Sequence, residues 1–147
     1  MTVFQADIAD LGKLVPLFDA YRQFYGEQPD LERADTFLRD RFERQQSVIF
    51  LALSEEEPVG FTQLYPSFSS TRMARVFILN DLFVAPQARG KGYAKSLLVA
   101  ARDYGRSVGA VRLSLSTAID NHVAQDLYVR AGWIRDEQFQ VYSFSLI

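Results

Sequence analysis

The sequence PQARGKGYAKSLL, residues 86–98, places two glycines and two cations between a proline and a predicted helix. It directly follows the apolar run VFILNDLFV, so the order is a strand, a glycine-rich turn and a helix start. Such a turn gathers unpaired backbone N–H groups at the positive end of a helix dipole, which favours a bound phosphate. Gly90 and Gly92 let an anion approach the main chain, while Arg89 and Lys91 can neutralise charge at the rim. For this loop alone, a polar turn that only caps the helix is the alternative.

Two common nucleotide-binding motifs do not fit this loop. A P-loop requires the pattern G-x-x-x-x-G-K-[ST], which is not present. A dinucleotide fingerprint requires a glycine or alanine three residues after Gly92 and an acid about twenty residues further on. The sequence has Lys95 and Arg112 at those places. We therefore do not expect ATP or NAD as the bound phosphate compound.

Composition limits the remaining chemistry. The 147 residues are 48% hydrophobic, carry a formal charge of −2 with a pI near 5.4, and include no cysteine and one histidine. We expect one domain over residues 1–147, no nucleic-acid partner and no metal site, with catalysis by carboxylates, tyrosines, hydroxyls or backbone groups. The apolar runs are short and the N-terminus lacks a signal-peptide pattern, so we expect a cytoplasmic protein with no membrane partner.

Hydrophobic periodicity divides the chain into short elements in the order βααβββαβαββ. Helices are predicted after Asp7, after Pro29, from Tyr93 and over HVAQDLYVRA. The predicted strands are TVFQA, SVIFLALS, PVGFTQLYP, MARVFILNDLFV, VRLSLST, WIRDE and QVYSFSL. This order predicts an α+β fold whose mixed, mostly antiparallel twisted sheet has about seven strands, one parallel crossover and four flanking helices.

Three blocks of the sequence resemble the GNAT acetyltransferases, in the family's order and over nearly the whole chain. QARGKG, residues 87–92, matches the Gln/Arg-x-x-Gly-x-Gly/Ala loop that grips the pyrophosphate of acetyl-CoA. NDLFV resembles the family's fourth strand, LSLST its fifth, and NHVAQDLYVRAGW the segment that follows. The resemblance implies a GNAT fold in which strands four and five splay apart and acetyl-CoA lies between them.

The resemblance also implies which residues bind the donor. The backbone of Leu82, Phe83 and Val84 would bond the pantetheine arm, as a neighbouring strand would. Asn121 would contact the cofactor as well. The pyrophosphate would be held by the backbone of Arg89, Gly90, Lys91, Gly92, Tyr93 and Ala94.

Tyr128 lies seven residues after Asn121, two helical turns away, so the two side chains share a helix face. Amine attack on a thioester expels a thiolate, and a phenol with a pKa of about 10 suits the donation of a proton to it. The resemblance gives Tyr128 this role of general acid. Packing is the alternative for Tyr128, and helix capping is the alternative for Asn121.

The polar pair Asn80 and Asp81 interrupts the apolar strand before the glycine loop, and on a regular strand the two side chains face opposite sides. An alkylammonium acceptor must lose a proton before it attacks. The strand is most similar to that of the branch acetylating histones and polyamines, which has a glutamate at the position of Asn80. Asn80 cannot accept a proton, so we expect Asp81 to be the base. The alternatives are a chain of water molecules as the base and a structural role for Asp81 as a buried carboxylate bonded to neighbouring backbone.

The acceptor groove is expected outside the donor-binding blocks, in the aromatic segments YRQFYGEQPD and YPSFSSTRM. Tyr21, Tyr25, Glu27, Tyr65 and Phe68 could enclose a cation there. The resemblance implies an acetyl-CoA-dependent N-acetyltransferase acting on a polyamine, another small amine or a lysine side chain. It also suggests a homodimer, for which the aromatic segment FQVYSFSLI is suited. Because Asn80 departs from the family pattern, a non-catalytic acyl-CoA sensor or interaction module is the alternative.

Overall fold

The computed structural model describes all 147 residues, which divide into two compact units, Met1–Ser116 and Thr117–Ile147. The first unit contains five strands and three helices, and the second contains one helix. The strands are β1 (Thr2–Gln5), β2 (Val48–Ser54), β3 (Glu57–Ser69), β4 (Ala74–Val84) and β5 (Leu113–Ser114). The helices are α1 (Leu11–Phe24), α2 (Leu31–Glu43), α3 (Tyr93–Ser107) and α4 (His122–Arg130).

The sheet follows the chain order β1-β2-β3-β4-β5. Each neighbouring pair is antiparallel except β4 and β5, which are parallel and joined through α3. The predicted α+β class, mixed sheet, parallel crossover and four helices are therefore confirmed. The prediction of about seven strands was wrong, since the sheet has five. WIRDE and QVYSFSL alternate like strands, but alternation sets only where side chains point, and neither segment has a hydrogen-bonded partner strand.

Helices cover both faces of the sheet. Apolar residues of α1 and α2 pack against Ile49, Leu51, Phe61 and Phe83 to form the main core. On the opposite face, Tyr104 of α3 packs its ring against Phe50 and Phe77, with centroids 5.9 and 5.6 Å away. The two sets separate because neighbouring residues on a strand point to opposite faces. From α1 and α2, the core residues are Leu11, Leu14, Val15, Leu17, Phe18, Ala34 and Leu38.

A bulge in β4 shapes the region before the glycine loop. Gln63 pairs with Asp81 and the next residue, Leu64, pairs with Leu79, so Asn80 is an extra residue in β4. Beyond the bulge, β4 has lost β5 as a neighbour, because those strands pair only at Phe77–Leu113 and Ile78–Ser114. The β5-facing edge of β4 from residue 79 to 84 therefore has no partner strand, and its backbone groups can bind something other than the chain.

Candidate active site

The glycine loop leaves β4 through a short 3-10 turn at Pro86–Ala88 and enters α3 at Tyr93. Gly90 and Gly92 have φ angles of 76° and 88°, a left-handed conformation that is costly for residues with a Cβ. No side chain caps α3, and no group of the chain accepts a hydrogen bond from the N–H groups of residues 90–95. This turn therefore presents a set of free backbone donors at a helix N-terminus, as an anion site requires.

The Arg89 side chain folds back onto β4. Its Nε donates to the carbonyl oxygen of Val84 at 2.9 Å, and its guanidinium carbon lies 5.4 and 5.8 Å from the ring centres of Phe24 and Phe83. These contacts hold the positively charged guanidinium of Arg89 at the end of β4. Lys91 is exposed on the loop.

The carboxylate of Asp81 lies on the face of the sheet that packs against α1 and is only 5% exposed. Nε2 of Gln63 donates to its Oδ2 at 2.8 Å, and Nδ2 of Asn80 donates to its Oδ1 at 3.1 Å. The Tyr21 hydroxyl lies next to the same carboxylate. The bulge explains the Asn80 contact, because it breaks the alternation that would place neighbouring side chains on opposite sides.

Two tyrosines next to Asp81 are held in their protonated form. Burial and then the nearby Asp81 carboxylate raise the pKa of Tyr21 well above its usual range. Burial and the same carboxylate raise the pKa of Tyr65 to about 12, although Arg41 acts in the opposite direction. Both phenols are therefore hydrogen-bond donors at neutral pH, next to a group that only accepts when ionised.

An aromatic wall connects this carboxylate to the glycine loop. The Tyr21 ring contacts Tyr25, Phe61 and Phe83, with centroids 5.1, 5.6 and 5.9 Å away. Phe83 in turn lies beneath the guanidinium of Arg89. Phe61 and Phe83 are buried in the core, whereas Tyr25 is 61% exposed, so the tyrosine end of this wall is the part open to solvent.

The residues predicted for the acceptor groove do not all come together. Tyr21 lies near Tyr25, Tyr65 and Asp81, and Tyr65 also lies near Asp81. Glu27 is exposed in the α1–α2 connection, and Phe68 lies five residues beyond Gln63 on β3, paired with Arg75. At about 3.4 Å per residue, that separation is about 17 Å along the strand.

Two buried polar residues of this region were not found from the sequence. Gln63 is fully buried, and its only signal was a polar residue inside the apolar strand PVGFTQLYP. Asp19 is 3% exposed, and its carboxylate accepts hydrogen bonds from Arg22, Gln23 and the backbone N–H of Asp30. Asp19 thus holds the connection between α1 and α2 in place, although its position on α1 resembles that of an ordinary surface residue.

The second unit contains the other two predicted site residues. Oδ1 of Asn121 accepts from the N–H of Ala124 at 3.2 Å, so Asn121 does cap α4. The ring of Tyr128 lies 6.1 Å from that of Trp133, and its carbonyl oxygen accepts from the Trp133 N–H at 2.9 Å. These contacts fix the start and the end of the helix that carries both residues.

The structure contains no group of three or more histidine, aspartate or glutamate side chains that could hold a metal ion. None of its helices combines the length and the apolar surface that crossing a membrane requires.

The open edge of β4, the glycine loop and the α+β topology are matched by a known family. The model of the acetyltransferase (GNAT) family matches residues 14–133, most of the chain. The chain belongs to the GNAT family of acetyltransferases. Members of this family use acetyl-CoA as the acetyl donor, and the chain is an acetyltransferase enzyme.

Three relatives illustrate the range of similarity. The uncharacterized N-acetyltransferase YhfO of Bacillus subtilis is 45% identical over 146 residues, covering 99% of this chain and 98% of YhfO. A solved structure described as a probable acetyltransferase has a TM-score of 0.95 at 44% identity, covering 100% of this chain and 99% of that one. A thialysine N-epsilon-acetyltransferase of Caenorhabditis elegans is 32% identical over 97 residues, covering 66% of this chain and 60% of its own. The resemblance to the branch that acetylates histones and polyamines stays a prediction.

Proposed function

We propose that this chain, as one GNAT domain over residues 1–147, transfers the acetyl group of acetyl-CoA to a primary amine by direct attack. The observation that carries this proposal is the buried Asp81 carboxylate, surrounded by tyrosines and lying two residues before Phe83 on the same strand that leads into the glycine loop. A proton acceptor and a donor-binding strand are thus parts of one element, β4.

On the donor side, the backbone does most of the binding. The pantetheine arm would pair with Leu82, Phe83 and Val84 along the edge of β4 that has no partner strand. The pyrophosphate would receive hydrogen bonds from the free N–H groups of the loop and the first turn of α3. The thioester oxygen needs a hydrogen-bond donor, and we assign the N–H of Val84 to it; the carbonyl oxygen of Val84 accepts from Arg89.

On the acceptor side, an alkylammonium with a pKa near 10.4 is neutral in only roughly one molecule in 2,500 at pH 7. Asp81 would take the proton from the ammonium nitrogen, which then attacks the thioester carbonyl carbon. The new C–N bond forms as the C–S bond breaks. The tyrosines around Asp81 hold neutral, protonated hydroxyls and therefore do not compete with it for the proton.

The leaving thiolate needs a proton of its own, and we assign this proton to the hydroxyl of Tyr128; the second proton, which the nitrogen loses as the amide forms, balances the phenolate that remains. Asn121 would contact the cofactor from the start of the same helix. Both assignments come from the family motif that the segment NHVAQDLY matches. Tyr128→Phe should lower kcat by about 10- to 100-fold while leaving the KM for the amine within about twofold, because only protonation of the thiolate is removed. A Tyr128→Phe enzyme with unchanged kcat would exclude the assignment.

The acceptor is proposed to be a primary amine on a flexible chain, that is, a polyamine, another small-molecule amine or a lysine side chain. The thialysine acetyltransferase is named for an acceptor of this kind. Tyr21, Tyr25 and Tyr65 would contact the cation, while Glu27 and Phe68 would reach only a long acceptor.

The decisive experiment measures release of the free CoA thiol from acetyl-CoA in the presence of polyamines, free lysine, lysine peptides and aminoglycosides. We expect at least one primary amine to accelerate release, and a product mass increased by one acetyl group. Acetyl-CoA binding that no amine converts to turnover would instead identify a non-catalytic acyl-CoA sensor.

Two further expectations remain predictions. A homodimer should sediment as a single species of twice the chain mass at micromolar concentration, and a monomeric species would contradict it. The cytoplasmic location can be checked by fractionating the host cell.

A further inference from the structure

Gln63 occupies a position that core packing does not explain. It lies in the middle of β3, directly opposite Asp81, and its side chain is fully buried. Its Nε2 donates to Oδ2 of Asp81 at 2.8 Å, whereas its Oε1 is buried without a hydrogen-bond partner in the chain.

The unpartnered carbonyl makes this residue costly for stability. Leaving a buried acceptor unsatisfied costs about 1–3 kcal/mol, whereas an apolar residue of similar size could pack at this position without that cost. The residues two places away on the paired strands, Phe61 and Phe83, are apolar and belong to the core. A glutamine in this setting therefore contributes through the one hydrogen bond that it makes, which is to Asp81.

The hydrogen bonds to Asp81 together fix its carboxylate. An ionised carboxylate offers about four acceptor positions on its two oxygens. Two are used by Gln63 from β3 and Asn80 from the bulge, and the Tyr21 side chain from α1 lies next to the group. These two donors, one on each carboxylate oxygen, prevent the group from rotating and leave acceptor positions for an incoming N–H.

We propose that Gln63 is a positioning residue that orients Asp81 for removal of a proton from the acceptor amine. This inference rests on the function proposed above. The proton moves from the ammonium nitrogen to a free acceptor position of Asp81, and the N–H groups of Gln63 stay in place. An amide does not titrate, so Gln63 holds the carboxylate equally at every pH at which the enzyme works.

The test compares Gln63→Leu with Thr62→Val in the purified full chain. Thr62 is the neighbouring buried residue, and its Oγ1 donates to the backbone carbonyl of Asp81 at 2.8 Å rather than to the carboxylate. We expect Gln63→Leu to lower kcat about 10-fold, the equivalent of one lost hydrogen bond to a charged group, and to shift the acid limb of the pH profile. Thr62→Val should leave the pH profile unchanged. Both variants should bind acetyl-CoA as the wild type does.

A double-mutant cycle with Asp81→Asn completes the test. If Gln63 acts through Asp81, Gln63→Leu should have little further effect once the carboxylate is gone. Gln63→Met provides a second apolar side chain should the leucine variant not fold.

The outcomes separate the two proposals. A wild-type enzyme that no amine stimulates would refute the proposed function and this inference with it. An active wild type that is impaired by Asp81→Asn, but whose Gln63→Leu and Gln63→Met variants keep the normal rate and pH profile, would overturn only the role of Gln63. Additive effects in the cycle would also overturn it.

Discussion

The donor side and the acceptor side of the proposed site share β4 but use different chemical groups of the chain. The donor side consists of backbone: the edge of β4 that has no partner strand and the turn that contains Gly90 and Gly92. The acceptor side consists of side chains that converge on Asp81 from α1, β3 and β4. A backbone site depends on chain conformation, whereas a side-chain site depends on the identity and charge of a few groups. Substitutions on the donor side should therefore change the affinity for acetyl-CoA, whereas substitutions on the acceptor side should change turnover.

The largest effect is expected from Asp81→Asn, which keeps the shape of the side chain and removes its basicity. Loss of a general base typically costs about 10²–10⁴ in rate, so kcat should fall into that range and the acid limb of the pH profile should disappear. The affinity for acetyl-CoA, measured by calorimetry, should stay within about twofold because the donor is bound by backbone.

A normal rate and pH profile in the Asp81→Asn variant would assign proton removal to water and leave Asp81 with a structural role. A simultaneous loss of acetyl-CoA affinity would instead show that the two sides are not separate. A melting curve of the variant serves as the control for folding.

The next effect tests the donor side with a matched pair of glycines at the two ends of α3. Gly90 and Gly109 have φ angles of 76° and 79°, and a Cβ at either position would meet no atom within 4 Å. Alanine at each position therefore costs the same backbone strain, about 1–2 kcal/mol. Only the methyl group at position 90 lies where an anion would approach, so Gly90→Ala should weaken acetyl-CoA binding by about 10-fold.

Gly109→Ala should lower the melting temperature as much as Gly90→Ala does, but it should leave the affinity for acetyl-CoA unchanged. Equal affinities for the two alanine variants would mean that the phosphates do not bind at the N-terminus of α3.

A smaller effect is expected from Arg89→Ala, although the arginine belongs to the same loop. Its side chain is engaged with Val84, Phe24 and Phe83, and its backbone N–H is unchanged by the substitution. We expect the dissociation constant of acetyl-CoA to rise about threefold, the equivalent of one exposed cation–π contact. A larger loss than that of Gly90→Ala would show that side-chain charge, and not backbone, holds the pyrophosphate.

The same contrast explains how much could be predicted from the sequence. The glycine loop, the strand before it and the crossover helix are local patterns, so the topology of the first unit was predicted, while the role of the loop in binding the donor stays a prediction. The bulge at Asn80 was not, because it depends on how β3 and β4 align, and that alignment brings Gln63 opposite Asp81. The two C-terminal strands, WIRDE and QVYSFSL, were wrongly predicted for a related reason. A strand forms only when it pairs with another strand, and its own residues do not specify that partner.

The smallest effect concerns stability at alkaline pH and comes from Tyr65. Its pKa rises from 10.0 in the unfolded chain to about 12 in the folded one, so the folded state holds the phenolic proton more tightly. That contribution to stability is complete below about pH 10 and is lost as the pH rises to about 12. The melting temperature of Tyr65→Phe should therefore fall less between pH 9 and pH 11.5, on the order of a degree or two, than that of the wild type. A Tyr65→Phe curve that falls in parallel with that of the wild type would contradict this expectation. Burial raises the Tyr65 pKa more than Asp81 does. The melting temperature of Asp81→Asn should therefore fall at alkaline pH nearly as much as that of the wild type, although most of the turnover is abolished. If the melting temperature of the Asp81→Asn variant did not fall at alkaline pH, the Asp81 carboxylate, and not burial, would be the main cause of the raised Tyr65 pKa.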